Sequence, residues 1–224
     1  MRHIRSRERG ERRIMKTSKN GIELIKCFES FSGKACKCLA SEKYYTIGFG
    51  HYGADVKENQ TMTKQQAEEL LQKDLEKFEQ KVNKYNNVYN FNQNQFDALV
   101  SFCYNIGNID QLTAKGTRTI KEISEKILAY NKSGGKIING LTNRRKKEQE
   151  LFNTPCLYYA KYTGDTTKSL DMILKSVGVE DKYLHFPSRR KPLAKKNGLK
   201  NYKGSLSENL KLIELAKQGK LKRV

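Results

Sequence analysis

Apolar positions first recur at helical spacing at Leu24, Ile25 and Phe28, which predicts a helix over 18–30 with Ser18 or Asn20 as its cap. From about residue 36 to 58 the pattern shortens to β-prone runs such as Tyr44, Tyr45, Thr46 and Ile47, broken by glycines. That predicts a small hairpin lobe. Thr63 then opens T-K-Q-Q, with Gln66 placed to complete a capping box. The helix it starts is expected to run to roughly residue 85, with Ala67, Leu70, Leu71, Leu75, Phe78 and Val82 on one face. Phe96, Leu99, Val100 and Cys103 mark another helix, and two more are expected at 119–131 and 141–152.

Pro155 punctuates the end of this block. Beyond it Leu170, Ile173, Leu174 and Val177 return to helical spacing, as do Leu206, Leu210, Ile213 and Ala216 with Leu212 nearby. A weaker helical pattern lies around 188–197. The tail therefore reads as a separate small helical module over 156–224, after a larger domain over 15–155.

Charge sharpens this division. Of the formal net charge of +20, residues 1–14 carry +4, residues 15–155 carry +6 and residues 156–224 carry +10. A positive surface favours a polyanion, whether nucleic acid, anionic lipid or an acidic wall polymer. The N-terminal MRHIRSRERGERRI has charge but no apolar run behind it, so it does not read as a signal peptide. Gly10 to Arg13 can be encoded by a purine-rich stretch resembling a ribosome-binding site. Translation is thus expected to start at Met15, with 1–14 as an untranslated leader read through, the alternative being a disordered extension. No run of about 18 uninterrupted apolar residues occurs, so no transmembrane helix is expected.

The five cysteines make an odd number, and without C-x-x-C spacing or a histidine cluster they suggest reduced thiols, not disulfides or a zinc site. The hexapeptide GFGHYG, residues 48–53, satisfies G-x-G-x-x-G, but polar ADVKENQ follows where a helix should open, which argues against dinucleotide binding. Its glycines read as turn geometry, and His51 as a structural hydrogen-bond partner. Glu29 lies between Phe28 and Phe31. A carboxyl beside aromatics is partly desolvated and suits proton donation, while a solvated surface role is the bland alternative.

The run 21–53, GIELIKCFESFSGKACKCLASEKYYTIGFGHYG, resembles the phage-type lysozymes of glycoside hydrolase family 24. In that family a catalytic Glu is followed after eight residues by Asp or Cys, and after five more by Thr within T-I-G-x-G-H. Glu29, Cys38 and Thr46 match these positions, with the loop before Thr46 two residues longer than the usual pattern. The segments NQFDALVSFCYNIG (94–107) and NKSGGKIINGLTNRRKKEQELF (131–152) are similar to the family's central helix and its closing G-L-x-x-R-R segment. Cys36 departs from the pattern, standing where an aromatic is frequent.

The resemblance implies an α+β, mainly helical lysozyme-like fold with a small β-hairpin lobe. It also implies hydrolysis of the β-1,4 bond between N-acetylmuramic acid and N-acetylglucosamine in peptidoglycan, without cofactor or metal. Glu29 would be the general acid, and an inverting geometry needs roughly 6.5–9.5 Å between acid and base to admit water. A free thiol is mostly protonated at neutral pH and a poor standing base. Cys38 and the Thr46 hydroxyl are therefore expected to hold the water together, the alternative for Cys38 being a small buried hydrophobe. Arg144 and Arg145 either bring a guanidinium to Glu29 or the glycan, or lie on a solvated helix face.

The tail is similar to wall-binding modules at the ends of clostridial-type endolysins, and more weakly to LysM repeats. Its expected partner is an anionic wall polymer, with nucleic acid through Arg189, Arg190, Lys191, Lys195 and Lys196 as the competing class. The whole reads as a monomeric endolysin held in the cytoplasm until a holin-like pore gives it access to the wall. Hydrolysis of chitin or another amino-sugar polymer, and a non-catalytic wall or nucleic-acid binder on the same scaffold, are the alternatives.

Overall fold

The amphipathic run after Ser18 forms α1 (Lys19–Phe28) in a computed structural model that describes residues 14–37, 39, 41–159, 161–165 and 167–224. The expected leader, apart from Ile14, lies outside the described residues, and so does Cys38. The helix is shorter than its pattern suggests. Glu29 is its C-cap, with extended dihedrals (φ −99°, ψ 116°) and its N–H bonded to the Ile25 carbonyl. Ser18 stands at the N-cap without capping by its side chain, because its hydroxyl goes to Asp97, which also accepts its N–H at 2.9 Å.

An antiparallel sheet follows, in the order β1 (Ser32–Cys36), β2 (Tyr45–Gly48), β3 (His51–Gly53). It begins earlier than the alternation indicates and has one strand more than a hairpin. Thr46 pairs with Tyr52 and Ile47 with His51 across β2 and β3, while the register against β1 shifts between Ser32 and Cys36. Ala35, Ile47 and Val56 form a small core of this lobe. Gly48 and Gly50 both hold positive φ (67° and 86°), so the GFGHYG segment is a turn between strands.

Thr63 and Gln66 complete their capping box at the start of α2 (Lys64–Tyr89). The helix outruns the expected end near 85 because Tyr85 and Asn86 continue its buried stripe, and it stops at Asn90 in the left-handed region (φ 47°). In α3 (Gln93–Ile106) every residue from Phe96 to Cys103 is buried. A helix buried all round is a central one, and α1, α2 and α5 (Asn139–Asn153) all pack against it. Between them α4 (Ile120–Ile127) is shorter than the expected 119–131. The chain turns into a two-stranded hairpin, β4 (Lys132–Ser133) and β5 (Lys136–Ile137), whose strands are too short to show a period.

Met15–Thr154 forms one compact unit and Pro155–Val224 belongs to another. The second contains α6 (Leu170–Ser176), α7 (Pro187–Lys196) and α8 (Leu206–Lys217) around Ile173, Leu174, Leu193, Leu212 and Leu221. Leu206 and Leu210, which share the expected apolar face, are 76% and 53% exposed. Of that face the core keeps Ala216 fully and Ile213 in part, and it takes the neighbouring Leu212.

Candidate active site

Glu29 emerges where α1 ends, and its side chain is 22% exposed. Arg144 of α5 donates from Nη1 to Glu29 Oε1 at 2.7 Å. The same guanidinium donates from Nε to Glu148 Oε1 at 3.1 Å and from Nη2 to the Ser101 carbonyl at 3.2 Å. It lies over the Phe28 ring, 5.3 Å from the centroid. A rigid planar fork can serve three acceptors at fixed angles, which an ammonium cannot.

Beneath this contact lies a buried ion cluster. Glu148 is fully buried and accepts from Ser101 Oγ at 2.8 Å and Arg145 Nη2 at 3.0 Å, with Arg145 Nε 2.8 Å from its other oxygen. Burial pushes the Glu148 carboxyl above its ordinary range, and the two guanidiniums oppose that. Arg145 also donates to Asn105 Oδ1 at 3.1 Å and covers the Phe102 ring at 4.7 Å.

The solvated-face reading of the arginine pair is therefore wrong: Arg144 is 4% exposed and Arg145 0%. Nor is a direct glycan contact open to Arg145, because no part of it reaches solvent. Glu148 at i+4 from Arg144 and i+3 from Arg145 is the signal that could have revealed an inward-facing row.

Glu29 borders a cleft of about 340 Å³ that is also lined by Gly50, His51, Tyr52, Asp74, Lys77, Phe78, Tyr104 and Asn105. A Cβ on Gly50 would stand 3.5 Å from Glu29 Oε2, so the turn runs directly past the carboxylate. Tyr104 closes the floor by donating to the Phe49 carbonyl at 2.8 Å, and burial pushes its phenol far up, keeping it neutral.

Thr46 is half-buried on β2 and is not among the residues lining this cleft. It does face away from the lobe core that holds Ile47, and its cross-strand partner Tyr52 lines the cleft.

His51 is hydrogen-bonded on both nitrogens, Nδ1 to Asp74 at 2.7 Å and Nε2 to Asp55 at 2.9 Å. Burial disfavours charge on the ring, but the bonds to Asp74 and then Asp55 outweigh it and raise the imidazole above its usual value. Asp55 moves the opposite way, held low first by its bond to His51. Sequence reasoning did not single out Asp74. It lies four residues from both Leu70 and Phe78 along α2, a carboxylate on an otherwise apolar stripe, which is a usable sign.

Residues 26–148 match the family model described as phage lysozyme. The endolysin of Bacillus phage PZA is 46% identical over 145 residues, covering 62% of this chain and 56% of the relative. That of Lactococcus phage c2 is 37% identical over 161 residues, covering 71% and 70%. Among solved structures, the muramidase domain of SpmX from Asticaccaulis excentricus is 33% identical with a TM-score of 0.53, covering 62% of this chain and 99% of that one. The chain spans just over half the length of the curated relatives from Bacillus phages PZA and B103.

Proposed function

Because this chain belongs to the phage lysozyme family, we propose that it is an endolysin that hydrolyses the β-1,4 bonds between N-acetylmuramic acid and N-acetylglucosamine in bacterial peptidoglycan. The observation that carries the reading is Glu29, fixed by Arg144 at 2.7 Å on one oxygen while the other faces the cleft beside Gly50.

Glycoside cleavage needs a carboxylic acid at the leaving oxygen and a means of placing water on the far side of the sugar. Glu29 serves as the acid. Arg144 holds its orientation, so the proton is delivered without a search over rotamers. Thr46 and Cys38 hold the attacking water and stabilise positive charge as it develops on the sugar. His51, locked between Asp74 and Asp55, keeps the cleft wall in place.

Residues 15–155 serve as the catalytic domain and residues 156–224 as a wall-binding module. The protein acts as a monomer, waits in the host cytoplasm and reaches the wall through a pore made by a separate holin-type protein.

Mass analysis of digested peptidoglycan tests the activity. Reducing-end muramic acid is the expected product, whereas reducing-end glucosamine or released peptides would overturn the assignment. Glu29→Gln removes the proton donor and is expected to abolish lysis, by at least about a hundredfold. Cys38→Ser with full activity would remove the thiol from the mechanism and leave the water to Thr46.

A further inference from the structure

The second unit carries a basic groove that hydrolysis does not use. α7 and the loop after it enclose about 900 Å³, lined by Lys191, Lys195, Lys200 and Lys203 with Pro192, Asn201 and Tyr202. Lys191 and Lys195 are four residues apart on α7 and share a face, while Lys200 and Lys203 come from the loop opposite. All four lysines are exposed, and among the described residues none of them forms an ion pair.

The acids of the unit are engaged by partners other than these four ammonium groups. Asp171 pairs with Arg190, Asp181 with Lys175 and Glu180 with Lys182. Glu208 caps α8 through Ser205 and also accepts the backbone N–H of Lys203 at 3.1 Å. Like charges left unpaired in a concavity repel one another, and an anion that fills it relieves that repulsion.

The groove has a fixed wall. Tyr202 is 2% exposed, and its hydroxyl accepts from Arg190 Nε at 3.0 Å and donates to Asn209 Oδ1 at 2.5 Å. Arg190 in turn holds Asp171 at 2.5 Å, so a partly buried chain of bonds clamps the loop against α7. Gly204 allows the approach: its φ is 86°, and a Cβ there would meet Pro187 at 2.6 Å.

What such a groove selects follows from what it lacks. Single-stranded nucleic acid is gripped by exposed rings on which bases stack, and the groove's Tyr202 ring is buried. An uncharged glycan gives four ammonium groups nothing to neutralise. Phosphates spaced along a flexible backbone suit lysines acting as separate point charges. We propose that this groove binds a phosphodiester polymer of the bacterial wall through its phosphates, tethering the catalytic unit to an insoluble substrate. The proposal rests on the peptidoglycan reading above.

The test is sedimentation of the full chain carrying Glu29→Gln with purified Gram-positive walls. Binding is expected to fall at least tenfold, roughly, between 50 and 200 mM salt. Replacing Lys191, Lys195, Lys200 and Lys203 together by alanine should weaken it at least about tenfold at low salt, with the thermal midpoint unchanged. Replacing all four by arginine should preserve it. Walls stripped of phosphodiesters by hydrofluoric acid should hold the parent chain as poorly as intact walls hold the alanine variant.

Binding indifferent to the alanine changes or to stripping, or lost equally with arginine, overturns the proposal. So does tighter retention on single-stranded or duplex DNA than on walls. If Glu29→Gln still dissolves the walls, the catalytic assignment has failed, and that result reads separately from retention.

Discussion

Arg144 ties three parts of the Met15–Thr154 unit together through one side chain. It joins Glu29, Glu148 and the Ser101 carbonyl, at 2.7, 3.1 and 3.2 Å. Removing one member of a buried ion cluster leaves the others uncompensated, at a cost of about 3–5 kcal/mol. Arg144→Lys keeps the charge but loses the fork, so kcat should fall at least about tenfold while KM changes little, as steady-state assays on soluble peptidoglycan fragments would read. His51 is a different kind of case, because its effect depends on pH. Its folded value is raised, so its contribution to stability is complete below the unfolded imidazole value near ~6.5 and is lost as pH rises through the folded value. Thermal melts of the parent and His51→Gln should therefore differ most in mildly acidic buffer and converge as the solution becomes alkaline. Gaps that widen with pH would contradict this sign.

At the scale of elements, α3 is the pivot on which the site is assembled. Asp97 of α3 binds Ser18 at the start of α1, and Ser101, one turn later, binds Glu148 of α5. The helices that deliver Glu29 and Arg144 are thus both fastened to one buried helix. The close approach of α1 to α3 depends on Gly21, where a Cβ would lie 2.7 Å from Thr17 Cγ2 and 2.9 Å from Asp97 Cβ. Gly21→Ala should push α1 away from α3, costing about 1–3 kcal/mol by chemical denaturation and lowering kcat through a displaced Glu29. The Thr63–Gln66 capping box was legible beforehand and is formed, and even the weaker helical pattern around 188–197 is α7 at Pro187–Lys196. The β4–β5 hairpin was not legible, because two residues per strand carry no period. The exposed Leu206 and Leu210 show a further limit, since apolar spacing marks a helix without settling which of two neighbouring faces is buried.

At the scale of the whole molecule, each compact unit closes its own core, one around α3 and the other around Ile173, Leu174, Leu193 and Leu212. Leu174 is fully buried. Leu174→Ala should cost about 2–5 kcal/mol in the unfolding of the second unit, followed by calorimetry, while hydrolysis of soluble glycan fragments stays unchanged. The sequence by itself determined the order of the helices, the break at Pro155, the uneven distribution of charge and the motif that contains Glu29 and Thr46. Those features are local, written in spacing and composition within a few turns of chain. Only the tertiary structure decided that Arg144 meets Glu29 across 115 positions, that Arg145 is buried instead of solvated, and that His51 is shared by Asp74 and Asp55. What a charged side chain does depends on whether it is removed from water and what then compensates it, and both are properties of the packed molecule.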